Sequence, residues 1–120
     1  MNGSVDSCGR ALVSVSIRPS DVAAAHEIQV WIDTGFHGDL GLPQQQIEDP
    51  TLPLSGTVKP ILADGSEVAL KRYVCLIDWF GEERDLEVVA NEGEYPLLGV
   101  GLLLGHDLRI SYRSGEITVE

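Results

Sequence analysis

Apolar and polar positions alternate with a period of two along most of this chain. Ala11, Val13, Val15 and Ile17 share one face of a run whose other face carries Leu12, Ser14 and Ser16. Ile28, Val30 and Ile32 alternate with Gln29, Trp31 and Asp33. Runs at 58–62, 68–77, 86–90, 108–112 and 117–119 repeat the pattern. Period-two alternation marks strands with one buried face. Between the runs lies turn chemistry. Asp64-Gly65 is a strong hairpin signal, and Gly81-Glu82 and Ser114-Gly115 are weaker ones. The stretch 49–56 reads as a loop because proline and glycine punctuate it. Helix is scarce. Pro43 suits the first turn of a short helix reaching Ile47, and residues 100–106 predict a second that ends near Gly105. The expected architecture is mainly β, with one or two short helices.

Length and composition bound this picture. The 120 residues suit one compact domain with one modest core. Residues 1–9 read as a flexible tail, and 10–120 as the domain. With 43% hydrophobic and 22% charged residues, the composition is that of an ordinary folded domain. The formal net charge of -11 repels phosphate backbones, so no nucleic-acid partner is expected. The N-terminus lacks a basic cap followed by an apolar stretch, so no signal peptide is expected. The longest apolar segment, 95–104, is too short and too glycine-rich to span a bilayer. No membrane partner and a cytoplasmic location follow as expectations. Cys8 and Cys75 have no metal-ligand spacing and read as two free thiols. His26, His37 and His106 are scattered, so neither a metal site nor a cofactor is expected.

The chemistry concentrates at one strand end. Ile28-Gln29-Val30-Trp31-Ile32 runs directly into Asp33-Thr34-Gly35. This places a carboxylate where the chain must turn. Glycine suits such a turn, and the threonine hydroxyl can bond locally or across to a neighbour. Taken alone, the triplet also fits a plain Asx-turn.

Three landmarks in order resemble the single-domain, retroviral-type aspartic peptidases and their small bacterial relatives. Val30-Trp31-Ile32-Asp33-Thr34-Gly35 looks like the catalytic loop and its strand. Pro60-Ile61-Leu62-Ala63-Asp64-Gly65-Ser66-Glu67-Val68 looks like the flap hairpin. Pro96-Leu97-Leu98-Gly99, followed by Leu102-Leu103-Leu104, looks like the later hydrophobic-hydrophobic-glycine element and its short helix. The resemblance spans residues 11–119 and implies a small closed barrel of the retropepsin-like acid protease type.

The resemblance further implies a homodimer, because the chain carries a single Asp-Thr-Gly. Two Asp33 carboxylates brought together share one proton and activate a water against a peptide bond. Asp33, Thr34 and Gly35 are then the catalytic loop. Phe36 and the flap residues Ala63, Asp64, Gly65 and Ser66 face an extended peptide substrate. Leu97, Leu98 and Gly99 support the loop from beneath. The alternative is a peptide-binding module that keeps the fold without cutting. Two features depart from the retroviral pattern. Phe36 stands where a small residue is usual. His37 and Val100 stand where an acidic residue and an arginine form an ion pair.

Overall fold

The computed structural model describes residues 1–48, 52–58, 63–66 and 70–120, with backbone alone at 54–58 and 70. The strands are β1 (Asn2–Val5), β2 (Ala11–Arg18), β3 (His26–Ile32), β4 (Leu40–Pro43), β5 (Leu54–Val58), β6 (Leu70–Trp79), β7 (Glu82–Asn91), β8 (Leu97–Leu98), β9 (Leu108–Ile110) and β10 (Glu116–Val119). Two short helices, α1 (Gln44–Glu48) and α2 (Val100–Leu103), interrupt them. Neither is long and apolar enough to cross a membrane.

Hydrogen bonding runs in the order β5-β6-β7-β4-β8-β3-β2-β1-β10-β9, and an extra β6–β2 pairing closes a ring. The division of β2 makes closure possible. One edge pairs with β3 from Leu12 to Ile17. The other edge is shared: Ala11, Leu12 and Val13 pair with β1, while Ser16, Ile17 and Arg18 pair with β6. A barrel closed this way removes most exposed strand edges.

The alternating apolar residues fill the ring. Val13, Val15, Ile17, Val30 and Ile32 are buried together with Leu40, Leu42, Ile77, Leu86, Val88, Leu98 and Leu102. Cys75 joins this core, whereas Cys8 is exposed, and both are free thiols. Burial, with the Asp39 charge adding to it, pushes the Cys75 thiol up to about 12.

Several elements differ from the sequence expectation. Residues 2–5 form a strand in place of the expected tail. β1 lies between β10 and β2, and its backbone pairs on both edges. The Met1 ammonium donates to the Val119 carbonyl at 2.9 Å. Main-chain bonding, which a polar sequence does not advertise, holds this segment. The Asp6 carboxylate anchors the turn that follows, accepting from the Cys8 and Arg10 amides and from Arg10 Nε. Within the expected loop 49–56, residues 54–56 belong to β5, and 49–51 lie outside the described residues. Pro43 ends β4 and does not start a helix; α1 begins at Gln44. Helix α2 stops at Leu103, short of the expected 106, and Gly105 follows in the left-handed region. The β6–β7 turn is Phe80-Gly81, one residue earlier than expected, because Trp79 pairs with Glu82. Both turn residues have positive φ, 54° and 80°, the values a type I′ hairpin requires.

Phe80 is a non-glycine residue in that strained region, and a neighbouring ring holds it there. Its ring stacks on His106 at 4.5 Å. The buried Trp79 donates its indole N–H to His106 Nε2 at 3.2 Å. His106 Nδ1 lies 3.1 Å from the Glu120 carbonyl, so the imidazole ties the hairpin to the chain end. His106→Ala leaves the buried Trp79 N–H without its acceptor and removes the stack. We expect a loss of about 1–3 kcal/mol in urea unfolding. An unchanged midpoint would contradict this role.

Candidate active site

Strand alternation orients the Asp33 loop. Val30 and Ile32 point into the core, so Trp31 and Asp33 lie on the opposite face of β3. β8 runs parallel to β3 and fixes its end. The Trp31 amide donates to the Pro96 carbonyl at 2.8 Å, and the Asp33 amide to the Leu98 carbonyl at 2.9 Å. The chain then turns, with the Phe36 amide donating to the Asp33 carbonyl at 3.1 Å. Asp33 Oδ1 accepts the Gly35 amide at 2.9 Å, which is the Asx-turn bond. This bond engages one carboxylate oxygen; among the described residues the other has no partner. Asp33 is half-buried, while Thr34, Gly35 and His37 are exposed. The Thr34 hydroxyl forms no hydrogen bond with the described residues. Gly35 does not take a positive φ. Glycine suits this position because a Cβ would stand 3.3 Å from Asp33 Oδ1.

The Leu97-Leu98-Gly99 segment packs under this loop. β8 pairs with β3 on one side and with Leu40 and Gly41 of β4 on the other. Leu98 is fully buried. Three successive amides then grip the loop's carbonyls. Gly99 donates to Asp39 at 2.9 Å, Val100 to Phe36 at 2.8 Å and Gly101 to Gly38 at 3.0 Å. The approach is close enough to exclude a side chain at 99. A Cβ there would come within 3.0 Å of the Gly38 oxygen, the Phe36 oxygen and Phe36 Cδ2.

Phe36 packs within the loop. Its ring occupies space left by glycines: a Cβ on Gly38 would stand 2.5 Å from Phe36 Cζ, and one on Gly41 would stand 3.5 Å from Cε2. The ring therefore lies against Gly38, Gly41 and Gly99. His37 is exposed and Val100 is half-buried, and the Val100 amide holds the Phe36 carbonyl. Backbone bonds thus join the two segments at Val100 and at Phe36 and Gly38, on either side of His37. Sequence reasoning missed Gly38, Asp39, Gly41 and Gly101. The signal lay in the density of glycines on either side of the β4 and α2 starts. Asp39 contributes its carbonyl to Gly99, and its Oδ2 lies 3.3 Å from the Glu87 amide.

The Ala63–Ser66 tip is a separate, exposed turn beyond the β5–β6 pairing, which ends at Val58 and Leu70. Pro60, Ile61, Leu62, Glu67 and Val68 lie outside the described residues. Gly65 has φ +85°. Asp64 Oδ1 accepts the Ser66 hydroxyl at 2.6 Å and the Ser66 amide at 2.9 Å. The hydroxyl bond first, and then the amide bond, hold the Asp64 carboxyl below its ordinary value of 3.8. A depressed carboxyl supports its turn above the unfolded value and releases it as pH falls through the folded one. The Ser66 amide resonance should therefore titrate with a midpoint below 3.8. A midpoint near pH 5 would show that this bond does not hold the tip.

Among the described residues, no three His, Cys, Asp or Glu side chains converge as a metal-ligand set. The described chemistry of the loop is a carboxylate with a free oxygen, a hydroxyl and a backbone bend open to solvent.

No family model matches this chain, and no curated protein does. Solved structures do. A retropepsin-like aspartic protease from Rickettsia conorii is similar over 99% of this chain and 88% of its own, with a TM-score of 0.68 and 16% identity. The chain has the retropepsin-like fold: a mainly β, closed barrel with two short helices.

Proposed function

We propose that two copies of this chain form an aspartic endopeptidase. The observation that carries this reading is the Asp33 carboxylate. It stands at the end of β3 with one oxygen used by the Gly35 amide and the other without a partner among the described residues, in a fold that this chain shares with a known protease. A two-fold axis beside the loop brings two such carboxylates together. The pair holds one proton, because two adjacent carboxylates do not both ionise cheaply. The ionised member takes a proton from a water lying between them, and that water attacks the peptide carbonyl. The protonated member donates to the carbonyl oxygen. A proton then passes to the departing amine. Every step is general acid–base catalysis by Asp33 and its symmetry mate.

The remaining loop residues have distinct tasks in this mechanism. The exposed Thr34 hydroxyl, unengaged within the described residues, bonds across the axis. The β8–α2 segment keeps the loop from yielding as substrate binds. The β5–β6 hairpin covers an extended peptide, with the Asp64–Ser66 bonds shaping its tip. Phe36 acts from within the loop, setting its shape by packing on three glycines.

A second reading, a monomeric peptide-binding module, has one observation in its favour. β1 pairs with β10 of the same chain, so these terminal strands need no partner to be satisfied. The two readings differ in concentration dependence. Cleavage of a mixed peptide library near pH 5 should rise per chain with protein concentration, in step with a monomer–dimer transition in sedimentation. Peptide binding without cleavage, by a species that sediments as a monomer throughout, would establish the module.

A further inference from the structure

The face of β3 that carries Asp33 also carries Trp31, Gln29 and Glu27, because residues two apart on a strand point the same way. Tyr95 borders this face. Its ring meets Trp31 edge-on at 6.3 Å, and the Arg10 guanidinium sits 4.4 Å from its centroid. Beyond Trp31, the face opens into a recess of about 360 Å³. Glu27 and Gln29 of β3, Gln46 of α1, and Glu94 and Tyr95 of the loop before β8 form its walls.

These walls offer acceptors. Neither the Glu27 nor the Glu94 carboxylate forms an ion pair or hydrogen bond with the described residues. Gln46 Oε1 is buried with no donor among the described residues. An acceptor in that state costs stability until a donor reaches it. Pro96, beside Tyr95, has no amide hydrogen to contribute. A group that suits two carboxylates and an unpaired carbonyl is cationic and rich in N–H donors. The net charge of -11 concentrates such groups near the surface.

We propose that this recess binds the basic side chain, lysine or arginine, of a peptide whose cleaved bond lies at Asp33. The proposal rests on the peptidase reading for the second half of that sentence alone. Asp33 stands four positions after Gln29, roughly 13 Å along a strand. An extended peptide covers that span in about four residues. A two-fold dimer carries one recess on each side of the dyad. The expected substrate therefore has a basic residue about four positions from the cleaved bond, on either side.

The test separates the recess from the chemistry. N-acetyl-arginine amide and N-acetyl-norleucine amide are titrated into the full-length Asp33→Asn protein, with the Gln46 side-chain amide and the Tyr95 ring followed by NMR. The arginine probe should shift both signals, and the norleucine probe neither. The double variant Glu27→Gln/Glu94→Gln should weaken arginine binding roughly tenfold. Both carboxylates are exposed, so the fold tolerates the change. Equal response to the two probes, or arginine binding that the double variant leaves intact, overturns the proposal. In library cleavage by the otherwise native chain, the same double variant should lose the enrichment for basic residues while cutting a neutral peptide at an unchanged kcat. Arginine binding by a chain that cuts nothing supports the recess and removes the peptidase reading. Cleavage with no basic preference and no arginine binding does the reverse.

Discussion

Asp33→Asn should lower kcat/KM for peptide cleavage by a factor of about 100 to 10,000 while leaving the fold and its stability nearly unchanged. The size follows from removing the group that gives and takes the proton, whose contribution as a general acid–base catalyst falls in that range. The preserved fold follows from geometry. An asparagine keeps an oxygen where Asp33 Oδ1 accepts the Gly35 amide, and nearly the same volume in a half-buried position. The bonds that place the loop are main-chain ones, from the Asp33 amide to Leu98 and from Phe36 to Asp33. The paired measurement is cleavage of a defined peptide beside urea unfolding of both proteins. Full activity in the variant would assign the chemistry elsewhere. Lost activity with a stability drop of several kcal/mol would mean that Asp33 acts here as a structural turn residue.

Gly99→Ala should cost about 3 kcal/mol or more and abolish activity with it. The added methyl would come within 3.0 Å of two backbone oxygens and of Phe36 Cδ2. Relief requires β8 to move, yet β8 is bonded to β3 on one side and to β4 on the other. Overpacking of a closed site typically costs 1–3 kcal/mol, and more where the clash is with main chain. Gly101→Ala provides the contrast. Its closest obstacle is Asp39 Oδ1, the end of a side chain, with the Gly38 oxygen next at 3.1 Å. That carboxylate can swing, so the expected cost is about 1 kcal/mol. The urea midpoints of the two variants measure the difference. If both cost the same, the tight approach of β8 to the Asp33 loop is not what requires glycine at 99.

Much of the barrel was legible because its strands have one wet face. β2, β3, β6 and β7 each expose alternate side chains, so burial writes a period of two into the sequence. The Asp33 loop was legible for a related reason: a strand pattern that ends in Asp-Thr-Gly places an acid where a chain must bend. The Leu97-Leu98-Gly99 segment stood out only through the family resemblance, and Asp64-Gly65 through turn chemistry. β1, β4 and β8 were not legible. β1 is polar and held mainly by its main chain. β4, Leu-Gly-Leu-Pro, is buried at Leu40, Gly41 and Leu42, so it shows no alternation. β8 is two residues long.

The sequence by itself determined the alternating faces, the single Asp-Thr-Gly and the acidic net charge, because each is a property of residues close together in the chain or of their sum. Tertiary structure alone decided how the candidate site is built. Gly38, Gly41 and Gly99 receive the Phe36 ring only because β4 and β8 pack side by side. Gln29, Gln46 and Glu94 wall one recess although they stand far apart in sequence. Long-range packing sets which glycines are crowded and which carboxylates face a common space, and no local pattern records it.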